Sequence, residues 1–341
     1  MGKSDPKDKP FQIPKELVWE AYKSVKRNKG AAGVDGQSIE EFEADLKDNL
    51  YKIWNRMSSG SYFPSPVRAV EIPKSHGGGT RVLGIPTVAD RIAQTVVALW
   101  LETRTESIFH DDSFGYRPGK SPLDAVARCR ERCWKKDWVL DLDVQQFFDS
   151  VDHDLMVKAV EANTDQTWVV LYVKRWLKAP IRMPDGRLVE RDRGTPQGSA
   201  VSPVLANLFL HYAFDLWLER EFPAVEFERF ADDAVVHCRT ERQAQQVLVA
   251  LSERLASVGL RLHPDKTAIV YCKDRKRRLS YERTSFTFLG YTFRARKAPT
   301  RDGRSMFAAF LPAMGTDALK DKGHEVRGWK LHLRTTCDLA A

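Results

Sequence analysis

The sequence predicts an α+β fold in which an antiparallel sheet packs on helices, and three observations lead there. Strand-like and helical runs follow one another without the strand–helix–strand rhythm of a parallel sheet. Turn signals such as SHGGGT and MPDGR join neighbouring strand-like runs directly, as hairpins do. Hydrophobic residues make up 43% of the 341, enough for a sizeable core, and 29% charged residues suit a surface facing water.

Along the chain, residues 1–15 are charged and Pro-containing and predict a flexible tail. Apolar spacing predicts helices over 16–28 (Leu17, Val18, Ala21, Val25) and 37–57 (Ile39, Phe42, Leu46, Leu50, Trp54), with the loop KGAAGVDG between them. Residues 67–72 alternate as a strand and pair, across SHGGGT, with Arg81–Ile85. Further helices are expected over 88–109, 122–136, 153–178, 202–221 and 241–258. Trp138–Val144 reads as a short buried strand, and Glu226–Arg239 as strand, turn and strand around Asp232 and Asp233. Ile269–Cys272 and Phe286–Phe293 complete the strands. Asp149 and Asp152 are expected to cap the helix that follows them.

No apolar run approaches the roughly 20 residues of a membrane span. The charged start, MGKSDPKDKPFQIPK, does not read as a signal peptide, so a bacterial, cytoplasmic setting without a membrane partner is expected. The five cysteines (129, 133, 238, 272 and 337) then predict free thiols. Cys129 and Cys133 share a helix face, but no second Cys/His pair has matching spacing, so ordinary buried thiols are expected rather than zinc.

The net charge of +8 is local. Lys273–Arg304 carries eleven basic residues against three acids, and the remaining 309 residues balance to zero. A positive strip of this kind attracts a phosphate backbone.

Three features point to chemistry. Asp143 ends an apolar strand in LDVQQFFDSVDH. Asp232 and Asp233 stand side by side at a hairpin tip in FERFADDAVVHC. The loop GTPQGSAVSPVLANLFL, opening a helix, lies between them. Adjacent carboxylates repel, and a divalent cation is the natural offset. Two Mg²⁺ ions, with Mn²⁺ as a substitute, can activate a hydroxyl and stabilise a leaving pyrophosphate.

In this order along the chain, KGAAGVDG, IPKSHGGGTRVLGIPTVADRIAQ, FGYRPGKSPLDAV, VLDLDVQQFFDSVDH, RGTPQGSAVSPVLANLFL, RFADD, LRLHPDKT and FTFLGYTF resemble the successive blocks of bacterial group II intron reverse transcriptases, the intron maturases. Phe230 stands where most relatives have Tyr before Ala-Asp-Asp. The resemblance implies a right-hand polymerase: fingers over 1–94 and 151–201, palm over 95–150 and 202–298, and over 299–341 the opening of a thumb that is otherwise largely missing. It implies an RNA-directed DNA polymerase acting on an RNA template, a DNA primer and dNTPs, with group II intron RNA as partner.

The resemblance also implies site residues. Asp143, Asp232 and Asp233 become the metal-binding triad, joined by the backbone of Val144. Asp141 shares their strand face but lacks the spacing to the FFD segment. Phe148, five residues after Asp143, becomes a steric gate against the ribose 2′-hydroxyl. Lys74 and Arg81 fall on the incoming triphosphate, and Gln197 on the sugar edge. Gly194 and Gly198 let the backbone approach the nucleotide. Lys266 is placed near the active site, and Leu289, Gly290 and Tyr291 form a primer grip, where a glycine inside a strand suggests close backbone approach. Two alternatives stay open: a retron- or defence-type reverse transcriptase, and an RNA-binding protein without polymerase turnover.

Overall fold

The computed structural model describes residues 9–73, 80–299 and 306–314. Helix α1 (Lys15–Asn28) buries Val18, Ala21, Tyr22 and Val25 along one stripe. The loop after it is fastened by Arg91, which donates to the carbonyls of Lys29 (3.0 Å) and Ala31 (3.1 Å). The helix expected over 37–57 is two: α2 (Ile39–Glu43), opened by a Ser38–Glu41 capping box, and α3 (Leu46–Ser58). Their apolar stripe continues across the break, which is why spacing alone reads them as one.

Strands β1 (Val67–Pro73) and β2 (Thr80–Ile85) form the expected antiparallel hairpin. Helix α4 (Val88–Thr105) starts at Thr87, whose hydroxyl accepts from Asp90 N, and α5 (Pro122–Cys133) starts at a Ser121–Asp124 capping box. Strand β3 (Trp138–Asp143) leads to a short α6 (Phe147–Ser150). The helix expected over 153–178 divides into α7 (His153–Glu161), capped by Asp152, and α8 (Thr167–Leu177). Asp149 lies inside α6. Strands β4 (Ile181–Arg182) and β5 (Leu188–Val189) extend the β1–β2 sheet, in the order β2-β1-β4-β5.

The expected 202–221 helix has three parts: α9 (Ser202–Leu210), a π-helical turn over His211–Asp215, and α10 (Leu216–Glu221). Strands β6 (Glu226–Phe230) and β7 (Asp233–Cys238) form the hairpin around the acid pair, followed by α11 (Glu241–Ser257) and β8 (Ala268–Tyr271). The central sheet runs β6-β7-β3-β8, antiparallel throughout.

Phe286–Phe293 is a hairpin, β9 (Ser285–Phe288) and the start of β10 (Tyr291–Pro299), rather than one strand. Residues 306–314, at the opening of the expected thumb region, form β11 (Met306–Met314), which completes the sheet β11-β10-β9. Apolar alternation on both sides of a tight turn looks continuous in sequence, so strand periodicity could not expose the break.

The central sheet is buried on both faces. Leu140, Leu142 and Val236 join the main core, with α7, α9 and α11. Val139, Val235 and Val270 join a second core of α5 residues and the phenylalanines of β9, β10 and β11. No helix of the described residues is long and apolar enough to cross a membrane.

Candidate active site

The sheet register sets Asp143, the last residue of β3, directly opposite Asp233, the first residue of β7. Opposed residues of neighbouring antiparallel strands hold their Cβ atoms about 4.5–5.5 Å apart. Asp232 occupies the two-residue turn between Phe230 and Asp233, which pair with each other. Acids ninety residues apart in the chain therefore meet on one edge of one sheet. The other turn residue, Ala231, has φ +56°. That left-handed conformation costs a non-glycine residue about 1–2 kcal/mol, so surrounding contacts must hold it.

Those contacts come from Arg229, which is 1% exposed. Its guanidinium donates to both carboxylate oxygens of the buried Asp215 (2.7 and 2.6 Å), to Asn207 Oδ1 (3.1 Å), to Ser113 Oγ (2.9 Å) and to the carbonyl of Ala231 (2.9 Å). Asp215 ends the π-helical turn, a geometry that recurs at functional sites. Asn207 also donates to the Gly115 carbonyl at 2.6 Å. Gly115 lies so close to the turn that a Cβ on it would stand 2.3 Å from Ala231 N. Gly115→Ala is therefore expected to displace the turn, lowering any activity of these acids about a hundredfold and stability by about 1–3 kcal/mol. Steady-state rates beside thermal melts check it.

Repulsion shows in the titration of the acids. Loss of water around its carboxyl and the Asp143 charge raise Asp232. Asp233, although it reaches the surface, is pushed up to about 6 by lost hydration and then by Asp232 and Asp143. Asp141, on the same face, is pushed up to about 7 by burial and then by Asp233 and Asp143. Lys266 Nζ contacts Asp143 Oδ2 at 3.0 Å and offsets part of this charge. Tyr116, 51% exposed, has its hydroxyl pKa raised by lost hydration and by the fields of Asp232 and Asp233. A cluster of acids that raise one another, open on one side, has the donor set of a divalent-cation site.

The other expected residues fall as follows. Val144 is held by bridge pairing with Leu262, beside Asp143. Phe148 is half-buried against the main core, its ring 5.3 Å from that of Phe147. Lys74 lies outside the described residues. Arg81 lies on β2 opposite Ile72. Gln197 accepts at its carbonyl from Gly84 N (2.7 Å), and Gln94 Oε1 accepts from Ser199 Oγ and Ala200 N (both 2.9 Å), so this loop is docked on β2 and α4.

A Cβ on Gly194 would stand 2.7 Å from the Phe148 carbonyl oxygen, and one on Gly198 2.6 Å from that of Gly84. Both glycines admit protein backbone at close range. Leu289 and Gly290, both at positive φ (+51° and +80°), form the two-residue turn between the paired Phe288 and Tyr291. Gly290 is thus explained by the backbone of a hairpin turn rather than by close approach to a strand. Lys266, expected near the active site, contacts Asp143.

The basic strip is also partly structural. Arg277 pairs with Asp274 and donates to the Cys133 and Lys136 carbonyls at the end of α5, while Arg275, Lys276, Arg278, Arg294 and Lys297 are exposed. Sequence reasoning passed over Arg229, Asp215, Asn207, Gly115 and Tyr116. The available signal was a charged residue, Arg229, inside an apolar strand pattern.

Comparison with known proteins places the chain in a family. The family model described as reverse transcriptase (RNA-dependent DNA polymerase) matches residues 72–293. Protein YkfC of Escherichia coli is 30% identical over 318 residues, covering 81% of this chain and 80% of that protein. The group II intron-encoded protein LtrA of Lactococcus lactis is 29% identical over 227 residues, 65% of this chain but only 37% of LtrA. Telomerase from Candida albicans, solved with a fragment of telomeric RNA, shares the fold at a TM-score of 0.54 and 15% identity, over 82% of this chain and 49% of that one. With its α+β architecture and its matched core, the chain belongs to the reverse transcriptase family and is of the group II intron-encoded type.

Proposed function

We propose that this chain extends a primer 3′-hydroxyl with dNTPs on an RNA template, in a palm formed by the central sheet. The observation that carries this reading is the Asp143–Asp233 pairing with Asp232 in the adjoining turn. Asp143, Asp232, Asp233 and the Val144 carbonyl would hold two Mg²⁺ ions, which when bound lower the pKa of the attacking hydroxyl and neutralise the leaving pyrophosphate. The turn braced by Arg229 keeps the carboxylates oriented without reorganisation. Lys74 and Arg81, the latter on β2, are the proposed triphosphate cations. Gln197 is the proposed sugar-edge contact. The exposed arginines and lysines of 275–297 and the Leu289–Tyr291 turn would follow the primer–template backbone, a contact of shape and phosphate rather than base sequence. Similarity to LtrA supports group II intron RNA as the partner and retrohoming as the setting.

Primer extension on poly(rA)/oligo(dT) with Mg²⁺ tests the reading. Extension is expected, and RNA binding without it would favour a binding protein. Phe148→Ala should raise ribonucleotide incorporation about 10–100-fold relative to dNTP. Unchanged discrimination would remove Phe148 from the gate.

A further inference from the structure

We propose that the central sheet carries a second metal centre, a structural zinc ion bound by the thiolates of Cys129, Cys133 and Cys272 and by Nδ1 of His237, with Glu228 as outer partner of the imidazole. The four ligands come from α5, β7 and the residue after β8. All of them, and Glu228, are 0% exposed.

The local distances suit zinc. Cys129 and Cys133, one helical turn apart, hold their sulfurs 4.0 Å from each other. Two thiolates on one tetrahedral zinc, at about 2.3 Å each, lie roughly 3.8 Å apart. Cys272, the residue after β8, lies in the same buried cluster as Cys129 and Cys133. Single ligand atoms of Cys129, His237 and Glu228 lie within 4.8 Å of one another.

An independent observation concerns the imidazole. His237 Nε2 is 2.6 Å from Glu228 Oε2, while its Nδ1 is buried with no hydrogen-bond partner. A buried polar atom left unpaired costs about 1–3 kcal/mol. A histidine with one nitrogen on a carboxylate and the other free is arranged as zinc-binding histidines are. Glu228 is better placed outside the first shell, because its second oxygen already accepts from Arg132 at 2.6 Å.

The charges balance. Binding one Zn²⁺ releases three thiol protons. The resulting shell carries one net negative charge, beside the Arg277 guanidinium that donates to the Cys133 carbonyl at 2.8 Å.

The position suggests a purpose. His237 lies four residues along β7 from Asp233 on the same sheet face, and Glu228 adjoins Arg229. Zinc would staple α5 to the strands that carry the acids. Cys238, equally buried, packs into the opposite core and is an internal control.

Elemental analysis of the purified, tag-free full chain tests this directly. About one zinc per chain is expected, retained on dialysis into magnesium buffer and released by a mercurial thiol reagent. Zinc-edge absorption should fit three sulfurs near 2.3 Å and one nitrogen near 2.0 Å. Cys133→Ser should lose the metal, whereas Cys238→Ser and Asp232→Asn should keep it. Should Cys133→Ser fail to fold, the wild-type measurements decide alone. A folded wild-type chain without stoichiometric metal and with all five thiols free overturns the proposal. A Cys129–Cys133 disulfide also overturns it, as does zinc that Asp232→Asn removes.

Discussion

Asp232→Asn is expected to reduce primer extension at least about a thousandfold, equivalent to roughly 4 kcal/mol of transition-state stabilisation, while leaving the fold intact. An amide is nearly isosteric with the carboxylate, so the Ala231–Asp232 turn and its brace persist. What disappears is one charge at the centre of the acid cluster. That charge is unfavourable in the folded chain, since lost hydration and Asp143 both raise the Asp232 pKa. Removing it should hold or slightly raise the melting temperature. Activity and stability thus move in opposite directions, a pattern misfolding does not produce. Asp232→Asn/Asp233→Asn should be scarcely worse than the single change, because ligands of one site fail together. Undiminished extension by Asp232→Asn would remove the acids from the mechanism.

The second large effect concerns a side chain distant from any substrate. Arg229→Met leaves Asp215, 0% exposed, without its bidentate partner. Breaking one side of a buried ion pair costs about 3–5 kcal/mol, or on the order of 10 °C in melting temperature. Arg229→Met/Asp215→Leu removes both charges and should recover most of that loss. Extension should stay about a hundredfold low in both variants, because Ala231 O has lost its donor and the turn its support. Calorimetry and extension rates on the pair separate a positioning role from simple stability. If the double variant regains full rate, Arg229 only holds the core together.

Much of this was legible in residue order. Alternation and turn signals marked the β1–β2 and β6–β7 hairpins, apolar spacing marked α4 and α5, and paired acids between strand formers marked Asp232 and Asp233. Those signals are local: they depend on neighbours a few positions away, which periodicity and turn chemistry report directly. Length was less legible, since an apolar stripe can continue through the breaks in 39–58, 153–177 and 202–221.

Convergence of the acids was expected only through the family resemblance and not from residue spacing. Asp143 faces Asp233 because of strand register, which packing on both faces of the sheet selects and no spacing rule encodes. The same holds for Arg229 meeting Asp215 across a π turn, for Gly194 and Gly198 admitting backbone, and for Cys272 and His237 joining Cys129 and Cys133. Residue order thus supplied the reacting types and the family. Three-dimensional packing supplied their partners, because burial energy is settled between segments far apart in the chain.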